Sequence, residues 1–230
     1  MDREVRLRRQ VPRVWGCSEA AEGRSVLRSR APAMIERGAP PKVRVLRHGW
    51  IVRDGSRVVD ASSSATLIEE GDRRFLVDTG ASKDSDALIC ALSETDLRPR
   101  DIDDVVNTHL HIDHCGCNDL FTNARFHAHA SEAPPLETVR FTGDVDLSPH
   151  VRVVHTPGHT MGCVSVFVES DTRYAICGDA LPTEANYQSW VPPGIHFDRS
   201  LALASMGLIV GWAQTVVPGH DKPFIVMGKK

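Results

Sequence analysis

The amino-acid sequence predicts an α/β protein in which two β-sheets pack face to face with helices outside. Short β-rich runs come in two batches, and each batch is closed by a helical segment, the pattern of layered sheets covered by helices. The chain has 230 residues, enough for one sizeable core and few for two. Its 41% hydrophobic and 25% charged residues fall in the globular range, far from the composition of disordered chains.

Residues 1–41 are rich in Arg, Pro, Gly and Ala without periodicity and are expected to form a poorly ordered basic arm, with Met34 as a candidate natural start. A folded domain is expected over 42–230. It begins with three β-rich runs, KVRVLRHGWIV, SSATLIEE and RRFLVDTG, punctuated by Gly, Asp and Ser. Ser82–Glu94 then places Ala87, Leu88, Ala91 and Leu92 at helical spacing behind a Ser/Asp-rich start that can cap the first turn. In the second batch, 104–108 reads as a strand, 119–121 as a short helix, and ARFHAHA, VRVVHTPG, CVSVFVES and RYAICGDA as strands. The apolar helix 201–213 follows, and TVVPGH and KPFIV complete the second sheet.

Composition excludes several classes. The apolar stretch 201–213 is about two-thirds of the roughly 20 residues a membrane span needs, so it reads as a buried helix and no membrane partner is expected. No apolar run precedes a cleavage site near the N-terminus, and the six cysteines show neither CxxC spacing nor scaffold density, so a cytoplasmic protein with reduced thiols is expected. Residues 1–47 carry 12 Lys/Arg against 5 Asp/Glu, a charge of +7, whereas 48–230 carry 15 against 25, a charge of −10. The folding part is acidic, which weighs against a nucleic-acid surface.

The chemistry is concentrated in Thr108-His109-Leu110-His111-Ile112-Asp113-His114, three imidazoles and a carboxylate within six residues directly after an apolar strand. Given this composition, HxHxDH arises by chance in roughly two of a thousand such sequences. In an extended segment His109 and His111 project to one side, and at a turn Asp113 and His114 can swing toward a point a few ångströms away, a geometry suited to two neighbouring ions. Further donors stand after hydrophobic runs at Gly-containing turns: His159 in TPGHT, Asp179 in CGD and His220 in PGH. Imidazole and carboxylate donors without a thiolate suit zinc first, with iron or manganese also accommodated.

On these motifs, from Lys42 to Val226 and including the Asp78-Thr-Gly80 turn, the sequence resembles the metallo-β-lactamase superfamily. The resemblance implies an αββα sandwich of two mixed β-sheets with the site at one edge. It also implies one metal on His109, His111 and His159, a second on Asp113, His114 and His220, and Asp179 bridging them, with Asp78 as a supporting residue beneath. Two cations would lower the pKa of a bridging water so that hydroxide is the nucleophile, with Asp113 as the catalytic residue that orients it. A dinuclear, metal-dependent hydrolase is therefore expected.

Its substrate is approached through what the chain carries. The short chain and the ending Pro218-Gly-His220-Asp-Lys-Pro223-Phe224 resemble the group of metallo-β-lactamase domain-containing protein 1, whose vertebrate member is regarded as an endoribonuclease, so phosphodiester or RNA hydrolysis is the leading expectation. The alternative is a small ester, lactone or thioester, with Tyr187, Trp190 and His196 as candidate substrate contacts beyond the Asp179 turn. Further alternatives are a mononuclear iron sulfur dioxygenase and a non-catalytic metal-binding module. The expected partners are thus a small molecule or RNA, and the reading admits a homodimer.

Overall fold

The computed structural model describes residues 38–227, so the expected arm over 1–41 lies outside the described residues except for 38–41. In chain order the elements are β1 (Lys42–Arg47), β2 (Trp50–Asp54), β3 (Arg57–Ser62), β4 (Ala65–Glu70), β5 (Arg73–Val77), α1 (Ser85–Ser93), β6 (Asp104–Val106), α2 (Ile112–Cys115) and β7 (Arg125–His129). There follow β8 (Val139–Phe141), β9 (Val145–Asp146), β10 (Val151–His155), β11 (Val164–Glu169), β12 (Arg173–Gly178), α3 (Glu184–Ser189), α4 (Arg199–Trp212), β13 (Thr215–Pro218) and β14 (Phe224–Ile225).

Two six-stranded sheets result, in the orders β1-β4-β5-β6-β7-β8 and β14-β13-β12-β11-β10-β9. Both are mixed. β5, β6, β7 and β8 run parallel while β1, β4 and β5 pair antiparallel; in the second sheet β12 and β13 are the parallel pair. Parallel neighbours need a crossover, and α1 and α4 supply it between β5 and β6 and between β12 and β13.

Alternation along the strands sorts the core into three layers. Ile68, Phe75, Val77 and Val106 of the first sheet meet Val164, Val166, Ile176 and Val217 of the second in the space between the sheets. The intervening Leu67, Leu76 and Val105 point the other way, onto Leu88 and Leu92 of α1. Likewise Phe167, Ala175 and Val216 pack on Met206 and Ile209 of α4. The order helix, sheet, sheet, helix is the αββα sandwich, and each fully buried Val, Leu, Ile or Phe contributes roughly 1.5–3 kcal/mol to it.

A buried carboxylate ties three strands of the first sheet together. Asp104 of β6 accepts from Arg73 Nη2 of β5 at 2.6 Å, and from His127 Nε2 and Arg125 Nη2 of β7 at 2.8 and 3.1 Å. Burial opposes its ionisation, but His127, Arg73 and Arg125 outweigh burial and hold the carboxyl well below the usual carboxylate range.

Two local expectations are corrected. KVRVLRHGWIV is not one strand: the chain breaks at His48-Gly49, and Trp50–Asp54 pairs instead with Arg57–Ser62 as a separate two-stranded hairpin. Its signal was Asp54-Gly55, where Gly55 has φ +59°, the left-handed conformation that tight hairpin turns require. The short helix expected at 119–121 is a 3-10 turn over Asn118–Leu120. Among the described residues no helix is long and apolar enough to cross a membrane.

Candidate metal centre

The loops after β5, β6, β10, β12 and β13 converge at one edge of the sandwich. Beyond β6 the chain stays extended through His111, which caps α2 with φ −68° and ψ 146°. The single turn of α2 then carries Asp113 and His114 back toward His109, whose ring centroid lies 4.1 Å from that of His114. β12 delivers Asp179, β10 delivers His159, and β13 delivers His220. This convergence depends on missing side chains. A Cβ on Gly178, which has φ +48°, would lie 2.2 Å from Thr108 Oγ1, and one on Gly219 would lie 2.4 Å from Asp179 Oδ1.

The seven residues named from the sequence come together. Donor atoms fall into three groups of mutual separation within 4.8 Å: His109, His111 and His159; His109, His114 and Asp179; and Asp113, His114 and His220. His111 Nδ1 and His159 Nε2 are 3.1 Å apart, and His114 Nε2 and His220 Nε2 are 3.4 Å apart. Asp179 stands between the outer groups. Its Oδ2 lies 3.4 Å from His159 Nε2, and its Oδ1 lies 3.1 and 3.4 Å from His220 Nε2 and His114 Nε2.

Hydrogen bonds at the far side of each ring decide which nitrogen faces inward. His159 Nδ1 donates to Ile195 O at 2.7 Å, His220 Nδ1 to Ser62 O at 3.1 Å, and His114 Nδ1 to Asp78 Oδ2 at 2.8 Å. In the neutral imidazoles the three Nε2 atoms are then acceptors that face other acceptors. His109 Nε2 and Asp179 Oδ1 are buried without a hydrogen-bond partner, although groups lie close by. Such atoms are aimed at a shared point rather than at one another, an arrangement that a cation satisfies and a neutral network does not. The donor set therefore fits divalent metal.

The electrostatics without metal agree. Burial, reinforced by His114, pushes His109 well below the ordinary imidazole range, and burial with His159 lowers His111. Burial also disfavours charge on His114, but Asp78 and Asp179 overcome it and push this imidazole up to about 10. Asp179 is likewise opposed by burial, yet His220 and His114 hold it well below the carboxylate range. In metal-free protein a proton on His114 thus stands in for a cation.

Two carboxylates hold the ligand loops. Asp78 accepts from Thr108 N and Thr108 Oγ1, both at 2.7 Å, as well as from His114. Glu132, in the turn after β7, accepts from Leu110 N at 3.1 Å through Oε2 and from Thr160 Oγ1 and Gly162 N at 2.6 and 3.0 Å through Oε1. It joins the segment between His109 and His111 to the segment after His159. Sequence reasoning missed Glu132, which is 22 to 30 residues from these partners and belongs to no short motif.

The three candidate substrate contacts do not line the cleft at this centre. Tyr187 stacks on Phe224 with ring centroids 5.2 Å apart, and with Trp190 it lines a separate groove against α4. His196 is exposed with Nδ1 on Pro193 O, whereas its neighbours Pro193, Gly194 and Ile195 form one wall of the cleft. The opposite wall is the β2–β3 hairpin, through Ile51, Arg53 and Val58. The cleft encloses about 150 Å³. Cys115 and Cys117 stay outside the donor groups, and burial pushes the Cys117 thiol up to about 11.

Layered sheets with imidazoles and carboxylates gathered at their strand ends define a metal-binding αββα sandwich. Comparison with known proteins gives its family. The metallo-beta-lactamase superfamily model matches residues 58–138. A probable metallo-hydrolase of Methanocaldococcus jannaschii is 35% identical over 182 residues, 78% of this chain and 86% of that one. Metallo-beta-lactamase domain-containing protein 1 of Xenopus laevis is 30% identical over 204 residues, 83% of this chain and 84% of that one. An N-acyl homoserine lactonase of Bacillus sp is 31% identical over 162 residues, 63% of this chain and 62% of that one. The crystal structure of a metallo-beta-lactamase-like protein of Thermotoga maritima superposes with a TM-score of 0.68 at 25% identity, covering 81% of this chain and 99% of the other. The chain belongs to the metallo-β-lactamase superfamily.

Proposed function

We propose that the protein hydrolyses a small carboxylic ester, lactone or thioester at a centre of two zinc ions. The observation that carries this reading is the cleft. Its volume of about 150 Å³ admits the reacting head of a small acyl compound and is well under the roughly 300–1,000 Å³ of pockets that enclose drug-sized ligands. Ile51, Val58, Pro182, Pro193 and Ile195 give it apolar walls. The described residues 38–227 carry 16 Lys and Arg against 25 Asp and Glu, an excess of nine negative charges that suits a neutral or singly charged substrate better than a polyanion. Likeness to a lactonase over 162 residues points the same way.

His109, His111 and His159 would hold one ion, Asp113, His114 and His220 the other, and Asp179 has an oxygen toward each group. Bound there, divalent ions supply Lewis-acid polarisation of the carbonyl and a water acidic enough to ionise near neutral pH. The chain's own residues do the rest. Asp78, Ser62 O and Ile195 O fix the imidazole orientations, so the donors are positioned before substrate arrives. Asp113, whose side chain is 24% exposed against 13% for Asp179, is the more open of the two carboxylates on the cleft, and it accepts a hydrogen bond from the attacking water and directs it. The apolar walls exclude competing water from the acyl part.

The test is a hydrolysis screen of zinc-loaded full-length protein over acyl lactones, aryl esters, thioesters and single-stranded RNA at low salt. Turnover of at least one acyl substrate, lost in Asp113→Ala, supports the proposal. RNA cleavage with no acyl turnover would overturn it in favour of the phosphodiester reading that the likeness to metallo-beta-lactamase domain-containing protein 1 suggests.

A further inference from the structure

One wall of the cleft carries a charge that the metal centre does not use. Arg53, on β2, lines the same cavity as His111, Asp113, His159, Asp179 and His220, and it is the one Lys or Arg among the described lining residues. Its guanidinium lies over Gly194 of the facing loop: a Cβ there would sit 3.8 and 3.9 Å from Nη1 and Nη2, so both ends of the fork are equally presented. The hairpin and the 191–195 loop therefore approach each other around this group.

Several arginines of the described protein are engaged: Arg73 and Arg125 share Asp104, Arg152 pairs with Asp144, and Arg140 donates to Pro134 O. Arg53 has no ion pair and no side-chain hydrogen bond among the described residues. Two carboxylates, Asp113 and Asp179, line the same cavity, and neither pairs with it; both turn to histidines instead. A guanidinium at the mouth of an apolar cleft, with both faces of its fork free, is a ready partner for a planar anion from solution.

We infer that Arg53 recognises a carboxylate on the substrate, held apart from the scissile carbonyl by an apolar segment. This deepens the proposed function and rests on it. The substrate is then an amphiphilic half-ester, carboxyacyl lactone or carboxyacyl thioester. Its carbonyl lies at the histidine cluster, its methylene groups lie along Ile51, Val58 and Ile195, and its carboxylate meets Arg53 in a two-point contact. Charge favours a carboxylate over a phosphate monoester. One guanidinium neutralises one negative charge, whereas a phosphate near −2 at neutral pH would leave surplus charge beside Asp113 and Asp179.

Binding tests this without turnover. Isothermal titration of the zinc-loaded full chain compares butyrate, hexanoate and octanoate with succinate, adipate and suberate, the dicarboxylates of equal length, with bound zinc measured before and after. The expected result is a preference of about tenfold for the dicarboxylate at one chain length in the wild type. In Arg53→Gln that preference disappears while monocarboxylate affinity changes less than twofold, and Arg53→Lys keeps part of it. No preference at any length in the wild type, or a preference that survives Arg53→Gln, overturns the inference. Because this readout needs no catalysis, a protein inert toward every ester would contradict the proposed function and leave the assignment of Arg53 to be decided by the titration alone.

Discussion

Asp78→Asn isolates the support beneath the metal centre from the centre itself. Asp78 has φ 55°, and Asn adopts that left-handed conformation as readily as Asp, so the backbone is spared. The side chain is 3% exposed and accepts three hydrogen bonds, one on Oδ1 from Thr108 N and two on Oδ2 from Thr108 Oγ1 and His114 Nδ1. An amide keeps one acceptor. If its oxygen takes the Oδ2 position, an NH₂ faces Thr108 N–H and two buried donors confront each other. If its nitrogen takes that position, His114 must move its proton to Nε2 and loses the lone pair that faces the centre. Leaving buried donors unsatisfied costs about 1–3 kcal/mol, so the variant should be destabilised by about 2 kcal/mol in urea or guanidinium unfolding of metal-free protein. Loss of an orienting partner of this kind costs 10–100-fold in metal affinity, measured by competition with a chromogenic chelator. Wild-type zinc affinity in a folded Asp78→Asn protein would refute the orienting role.

Glu132→Ala removes three hydrogen bonds that join the two ligand loops and should lower zinc affinity about tenfold and stability by about 3 kcal/mol; unchanged values in a chelator competition and a denaturant titration would show that the loops hold themselves. Trp190→Ala and Tyr187→Ala alter a groove remote from the cleft, so KM for a small ester should stay within twofold of the wild type. In metal-free protein His114 is held protonated by Asp78 and Asp179, its pKa raised from 6.5 to about 10. Its contribution to stability is therefore full below pH 6.5 and is lost as pH rises toward 10. Metal-free protein should weaken over that window in urea titrations, and zinc-loaded protein, where the proton is displaced, should not lose this contribution.

The features legible in the sequence are those written in local spacing. HxHxDH and the TPGH, CGD and PGH turns each put a donor just past a hydrophobic run, and strand ends are where the sandwich gathers them. Alternation in Thr66-Leu67-Ile68 and Val164-Ser165-Val166 likewise displays two faces within three residues. What escaped was long-range or conformational. Glu132 acts across 22 to 30 residues, a pairing that only the packing of β7 beside β6 creates. Tyr187 and Trp190 follow Asp179 closely in the chain and so read as neighbours of the site. Yet α3, capped by Thr183 accepting from Asn186 N, turns them onto Phe224 and α4. The hairpin carrying Arg53 was hidden by reading Lys42 to Val52 as one continuous strand, although Asp54-Gly55 marks its turn.

Zinc titration of metal-free protein, followed by initial rates on an acyl lactone or ester that the screen shows to be turned over, counts the ions that hydrolysis needs. The donor grouping around His109, His111 and His159, around Asp113, His114 and His220, and about the shared Asp179 predicts that activity rises to a plateau at two equivalents of zinc per chain. Full activity at one equivalent, or restoration by a single iron with oxygen uptake and no hydrolysis, would contradict it.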